Sequence, residues 1–325
     1  MAKRKILLKN SQCPGDILML TAAVRDLYVS HFREIEIRVD TTASAIWENN
    51  PYLSNFSLED PSVEKIECKY PLIHTSNTAP YHFVHAFRKE LEEKLGLQIP
   101  PTLYHGDIHL SKEEKSWQSQ IEDMGVKQDF WIIMAGGKND YSAKWWSPDS
   151  YQKVVDHFKG RVLFVQCGEA NHWHPPLKGV INLIGKTDLR QYIRLMYHSI
   201  GVVCPVTFAM HAAASVPTKL NNPPTRACVV IAGGREPAQW EQYPNHRYLS
   251  TNGALSCCAK GGCWKSRCQT IGDGDPKDEP ENLCLQPVRI SQSLQIARCM
   301  EMIKPFDVIR AIESYYDGDM YHYNS

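Results

Sequence analysis

The chain has 325 residues, which is long for one compact core, so we expect two domains of about 100–200 residues each. Its 36 Lys and Arg balance its 36 Asp and Glu, so the chain has no formal net charge. A net positive charge that would attract nucleic acid or an anionic membrane is therefore absent. No stretch approaches the ~20 apolar residues of a membrane span, and the apolar run after the basic start MAKRK is too short for a signal peptide. We therefore expect a cytoplasmic protein.

A strand, a turn and a helix are predicted at the start of the chain. Residues 6–8 form a short apolar run typical of a buried strand, and Pro14 and Gly15 then break the chain. From residue 17 to residue 28 apolar side chains recur at helical spacing, so one face of a helix can pack on a sheet. Asp16 takes the first position of this helix, where unsatisfied N–H groups favour a carboxylate. Gly15 and Asp16 should therefore lie at the carboxyl end of a parallel strand, where open α/β sheets bind ligands; a plain helix cap is the alternative for Asp16.

Apolar runs alternate with helical patterns through the rest of the chain. Further strands are predicted at residues 34–40, 65–73, 130–134, 161–166, 180–184, 201–204 and 227–232. Further helices are predicted at 43–50, 82–95, 111–125, 148–158, 188–198 and 305–316, with a short one around His211; a capping box at Ser111 begins the third and Thr187 caps the fifth. Such alternation indicates parallel sheets covered on both faces. We therefore predict an α/β protein with Rossmann-like domains at 1–125 and 126–304, then a C-terminal helix and tail at 305–325.

Two glycine turns follow predicted strands in the second half. The first turn is Gly136-Gly137-Lys138 and the second is Gly233-Gly234-Arg235. Glycine lets a backbone approach a phosphate closely, and Lys138 can add positive charge. We predict that both turns contact a nucleotide, the second around its ribose or base.

The segment GDILMLTAAVR, residues 15–25, resembles the opening helix of the ADP-heptose:lipopolysaccharide heptosyltransferases and their relatives, the nucleotide-sugar glycosyltransferases of family 9. The resemblance implies a GT-B fold, in which two Rossmann-like domains with parallel sheets face a central cleft. It places the acceptor on the first domain and the nucleotide sugar on the second. It also implies that Asp16 is the catalytic base.

Three later residues match segments of the same family. Lys144, in AKWWSP, corresponds to a lysine that contacts the donor diphosphate; the alternative is a surface lysine beside two packing tryptophans. Thr207 and His211 match a turn that presents hydroxyl and backbone N–H groups to the donor phosphates. Val206 and Phe208 replace the Asp and Gly of that motif, so the donor's identity and its hydrogen bonds stay open. For His211 a buried core residue is the alternative.

Six of the 11 cysteines fall within residues 257–299. In a reducing compartment such a cluster indicates metal binding more than disulfides. The predicted ligands of one structural zinc or iron ion are Cys258, Cys263, Cys284 and Cys299, with Cys257 as the alternative to Cys258 and Cys268 as the weakest candidate. The ending CMEMI at residue 299 resembles cysteine-rich segments of the family, some of whose members, which glycosylate autotransporter proteins, carry a cysteine-bound iron. Buried free thiols are the alternative. The acidic loop 272–281 should have little structure of its own and should need an anchor, which such an ion would supply.

Together these features predict a glycosyltransferase that moves a heptose-like or other hexose sugar from a nucleotide-diphosphate sugar, with an ADP-sugar as first choice, to an acceptor hydroxyl. Asp16 would take the acceptor's proton, and Lys144 with the Thr207 turn would stabilise the departing diphosphate without a catalytic cofactor. The acceptor is a saccharide, a protein hydroxyl or a modified nucleic acid base. The alternative is a non-catalytic nucleotide-sugar-binding or metal-binding protein on the same fold, and donor turnover distinguishes the two.

Overall fold

The computed structural model describes residues 3–69, 72–79 and 81–324, and its first half is built on a three-stranded sheet. The strands are β1 (Arg4–Asn10), β2 (Ile35–Thr41) and β3 (Val63–Glu67), in the order β2-β1-β3, and both neighbours run parallel to β1. The helices of this half are α1 (Pro14–His31), α2 (Ala86–Leu95) and α3 (Lys112–Ser116). The connection from β1 leads directly into α1, so the start of α1 lies at the carboxyl end of the central strand.

The second half is built on a six-stranded parallel sheet in the order β6-β5-β4-β7-β8-β9. Its strands are β4 (Phe130–Ile133), β5 (Leu163–Gln166), β6 (Ile181–Asn182), β7 (Gly201–Pro205), β8 (Ala227–Gly233) and β9 (His246–Ser250). Its helices are α4 (Pro148–His157), α5 (Leu189–His198), α6 (Phe208–Ser215), α7 (Ala238–Glu241), α8 (Arg298–Glu301) and α9 (Pro305–Asp317). A short antiparallel hairpin, β10 (Pro287–Arg289) and β11 (Gln295–Ala297), precedes α8.

The central strands of the second sheet are apolar because both of their faces are covered. Every residue of β4, β7 and β8 is buried, as expected for parallel strands between two layers of helices. The C-terminal helix α9 belongs to one of these layers. Val308 and Ile312 share a core with Trp131 of β4, whose indole N–H donates to the hydroxyl of Tyr316 at 2.9 Å.

The predicted α/β class with parallel sheets is confirmed, and several element predictions are corrected. In place of the helix predicted at 43–50 there is a single 3₁₀ turn at Ser44–Ile46. The strand predicted at 65–73 ends at Glu67, and residues 70 and 71 of that prediction lie outside the described residues. The helix predicted at 111–125 stops at Ser116, because Trp117 is extended. Asp188 caps α5 in place of Thr187, since its carboxylate accepts the N–H of Gln191. Strand β9 was not predicted.

Several polar contacts join the halves, in addition to an apolar core that they share, and two of these contacts use several hydrogen bonds each. In the Arg190 contact, Arg190 of α5 binds Glu114 of α3 through both Nε and Nη2, at 2.7 Å each. In the Asn77 contact, the side chain of Asn77 donates to the carbonyl of Gly262 and accepts from the backbone N–H of Gly262 and the indole N–H of Trp264, at 2.9–3.0 Å. The cysteine-rich segment is thus fastened to the first half of the chain.

Arg267 anchors the acidic loop at 272–281. Its fully buried guanidinium donates to Asp273 at 2.8 and 2.9 Å, to Asp278 at 2.5 Å and to Asp140 at 3.2 Å. The loop also contains two 3₁₀ turns, Pro276–Asp278 and Pro280–Asn282. The expected anchor was a metal ion, whereas in the structure an arginine among carboxylates holds this loop. Among the described residues, no helix is long and apolar enough to cross a lipid bilayer.

Candidate active site

Asp16 lies in the first turn of α1, just beyond the carboxyl end of β1. Its side chain is nearly buried, with 7% of the residue exposed, and its Oδ2 accepts the backbone N–H of Cys13 at 3.1 Å. Asp16 is the third residue of α1 and not the first as predicted, because the helix begins at Pro14, and its carboxylate forms part of a capping box with Cys13. A carboxylate has two oxygens and several acceptor positions, so this bond does not exclude a second role.

The start of α6 packs directly against the start of α1. A β-carbon on Gly15 would lie 3.5 Å from Cδ2 of His211 and 3.9 Å from Cα of Phe208. A longer side chain at position 15 would therefore push the two turns apart. Because both helices begin at this point, their N-terminal N–H groups and positive dipole ends converge on one place between the halves. The N-terminal ends of α1 and α6 therefore form a place where an anion could bind.

Lys138 reaches from the second half to the turn before α1. Its Nζ lies 3.3 Å from Sγ of Cys13, three residues before Asp16. The preceding Gly137 is not open to a ligand in the way the sequence suggested, because its N–H and C=O both bond to the backbone of Trp173, at 2.9 and 3.0 Å. In this turn the lysine side chain, rather than the glycine backbone, is the group placed at the junction of the halves.

Lys144 and Arg235 share one buried carboxylate, that of Glu236. Nζ of Lys144 is 2.6 Å from Oε1 of Glu236, and it also donates to the carbonyl of Val206 at 3.2 Å. Arg235 bonds to the same Oε1, while its guanidinium lies 5.1 Å from the ring centre of Tyr141. Burial would raise the pKa of Glu236, but the two cations outweigh it and hold that pKa below its usual value. Sequence analysis placed the two cations near the donor but missed Glu236, which joins them.

Thr207 and His211 lie at the start of α6. Thr207 precedes the first helical residue, and its hydroxyl is 3.4 Å from the carbonyl of Pro205 and makes no capping bond. His211 is buried, and its Nδ1 is 2.8 Å from the hydroxyl of Tyr243. Burial lowers the pKa of His211 well below its usual value, so the ring is neutral. Its Nε2 faces Oε2 of Glu241 at 3.5 Å, a second acid that sequence analysis missed.

Gly233 and Gly234 lie against the cysteine-rich segment. A β-carbon on Gly233, whose φ is +62°, would lie 2.5 Å from Sδ of Met300, and one on Gly234 would lie 2.9 Å from Sγ of Cys258. Glycine is thus required here for packing, whatever part the backbone takes in binding a donor.

Five of the clustered cysteines line one small pocket beside Arg235: Cys257, Cys258, Cys263, Cys284 and Cys299. The pKa of Cys284 is lowered to about 7, and the main cause is a hydrogen bond from the thiol of Cys268. Burial raises the pKa of Cys263 to about 11 and that of Cys299 to about 12. The donor set suits a soft metal ion. However, across residues 3–69, 72–79 and 81–324 no three His, Cys, Asp or Glu side chains are arranged to hold one.

Comparison with known proteins identifies the fold and gives one partial match to a family model. Residues 71–220 match the model of glycosyltransferase family 9 (heptosyltransferase). No curated protein matches the chain. Among solved structures, the chain is similar to a family 9 glycosyl transferase from Veillonella parvula, with 14% identity, 96% of each chain covered and a TM-score of 0.64.

Two further structures are similar over nearly the whole chain. E. coli ADP-heptose LPS heptosyltransferase II is 14% identical, with 98% of this chain and 100% of that chain covered and a TM-score of 0.59. TibC, an iron-containing dodecameric glycosyltransferase from enterotoxigenic E. coli, is 13% identical, with coverages of 97% and 77% and a TM-score of 0.58. The two parallel sheets described above are therefore the two halves of a GT-B fold.

Proposed function

We propose that this heptosyltransferase-like glycosyltransferase moves a sugar from a nucleotide-diphosphate donor to an acceptor hydroxyl, with Asp16 as the general base. The observation that carries the proposal is the convergence of Asp16, Lys138, Lys144 and the starts of two helices on one place between the halves. A base and a cluster of positive groups are what direct displacement at an anomeric carbon requires.

In the proposed reaction Asp16 accepts the proton of the acceptor hydroxyl as its oxygen attacks the anomeric carbon. The bond from that carbon to the diphosphate breaks, and negative charge develops on the departing nucleoside diphosphate. Lys144, Arg235 and the N–H groups after Thr207 stabilise this charge, so the reaction needs no catalytic metal.

An ADP-sugar is the first donor to test. TibC has been solved with ADP-D-β-D-heptose, and at 13% identity it shares the fold of this chain. Val206 and Phe208 depart from the family motif, so other nucleotides belong in the same panel. We propose a saccharide, a protein hydroxyl or a modified base as the acceptor, and the cytoplasm as the location.

Purified protein should be screened against nucleotide sugars by thermal shift and then assayed for release of nucleoside diphosphate. A donor that stabilises the protein and is turned over supports the proposal. A donor that binds without turnover under every acceptor tried supports the alternative, a non-catalytic nucleotide-sugar-binding protein.

We further propose that the cysteine pocket holds one structural zinc or iron ion. The support is the convergence of five thiols on one pocket and the low pKa of Cys284, since metals bind thiolates. Cys258, Cys263, Cys284 and Cys299 would be the ligands, with Cys257 as a replacement, and ion binding would draw them closer together. TibC is described as iron-containing. Elemental analysis of protein purified without chelators tests this.

A further inference from the structure

Two carboxylate oxygens near Lys144 and Asp16 are buried without hydrogen-bond partners among the described residues. They are Oε2 of Glu236 and Oε2 of Glu241, which belong to one short segment after β8. The two residues are 1% and 5% exposed. Neither oxygen makes a hydrogen bond to any described residue. A buried acceptor without a donor is destabilising, so such atoms in a native fold call for an explanation.

The position of these oxygens is defined by what surrounds them. The other oxygen of Glu236 binds the two cations assigned to the diphosphate. Glu241 lies 3.5 Å from His211, which packs against Gly15, the residue before Asp16. Through these contacts the two carboxyl groups are linked both to the proposed diphosphate site and to the turn that holds the proposed base. In a transfer reaction the migrating sugar must lie between those two places.

The chemistry of the two oxygens also selects a ligand. Carboxylate oxygens accept hydrogen bonds and repel phosphate, whereas sugar hydroxyls donate. Further polar atoms nearby in the chain also lack partners within the described residues, namely Nε1 of Trp240, Oη of Tyr248 and Nδ2 of Asn252. A ring with several hydroxyl groups can satisfy acceptors and donors together.

We propose that Glu241, with the free oxygen of Glu236, binds hydroxyl groups of the transferred sugar and so sets the donor's sugar specificity. This inference rests on the proposed function. Because both residues are buried, the halves must separate to admit the sugar and close again around it. Burial, and then the nearby carboxylate of Glu236, raise the pKa of Glu241 well above its usual value, because both disfavour the charged form.

The test compares ADP with ADP-D-β-D-heptose by calorimetry on the whole chain. Glu241→Gln keeps the size and one oxygen of the side chain but removes the carboxylate. We expect it to leave ADP affinity unchanged and to lower ADP-heptose affinity about 10–100-fold, the usual range for a lost hydrogen bond to a charged group. Glu279→Gln, on the exposed acidic loop, is the matched control and should change neither affinity.

Glu236→Gln should behave differently, because Glu236 also holds Lys144 and Arg235. We expect it to change the affinities for both ADP and ADP-heptose. If Glu241→Gln lowers both affinities equally, or neither, the sugar assignment is wrong while the diphosphate site stands. If the wild-type chain binds neither compound, the proposed ADP-sugar function fails and this inference fails with it. Unchanged ADP binding also demonstrates that the Glu241→Gln variant is folded.

Discussion

Lys144→Ala should weaken ADP binding by about 10–100-fold and AMP binding by much less. The expected loss of binding free energy is that of one charge-assisted contact, roughly 1.5–3 kcal/mol. Each 1.4 kcal/mol corresponds to about a tenfold change in affinity. The structure adds a second effect. Lys144 and Arg235 together with Glu236 carry a net charge of +1, and removal of Lys144 reduces it to zero. The diphosphate then meets a carboxylate balanced by a single cation.

The same reasoning predicts a partial rescue. In the double variant Lys144→Ala with Glu236→Gln, the remaining Arg235 restores a net charge of +1, so ADP affinity should recover in part. Lys153→Ala, on an exposed position of α4, serves as the control for loss of a lysine. Titration calorimetry with ADP and AMP measures all four proteins. Equal losses for ADP and AMP, or no recovery in the double variant, would remove Lys144 from the diphosphate site.

Asp16→Asn should keep the fold and ADP binding while turnover falls by ~10²–10⁴-fold, the range for a lost general base; normal turnover would leave Asp16 as a helix cap only. Cys284→Ser should release the metal and lower the free energy of unfolding by several kcal/mol without changing chemistry at Asp16. Protein purified without chelators and found free of zinc and iron would refute that site. Arg267 lowers the pKa of Asp273 to about 2. This pair therefore stabilises the fold above about pH 4, and the stability is lost as the pH falls towards 2. Arg267→Met should reduce this loss of stability at acid pH, measured by denaturant unfolding between pH 2 and 6, and an unchanged pH dependence would contradict the assignment.

Elements with strong periodicity were predictable from the sequence. The helix that follows Gly15 and the buried strand at 227–232 were found nearly to their ends, since their patterns reflect packing on one sheet. The 111–125 helix was overextended, because a capping box fixes where a helix starts and says nothing of where it ends. Strand β9 is partly exposed at a sheet edge, which leaves little apolar signal.

The position of a residue was predictable where one local motif determines it, and contacts between distant segments were not. The position of Asp16 follows from a strand, a turn and a helix start within a dozen residues. The pairing of Lys144 with Glu236 joins residues 92 positions apart (236 − 144). In a sequence, a glutamate after a glycine turn is normally interpreted as a solvent-exposed residue. The burial of Glu236 and Glu241 could therefore be recognised only from the structure.

The Asn77 and Arg190 contacts have a consequence for the rate of the proposed reaction. Each joins the halves at a different place, and each uses several hydrogen bonds at 2.7–3.0 Å. Exchange of product for a new donor requires the buried cleft to open, and at least one of the two contacts must then break. The intact contact would serve as a hinge. We therefore expect opening, rather than sugar transfer, to limit the catalytic rate, so that Asn77→Ala increases kcat even as it weakens donor binding.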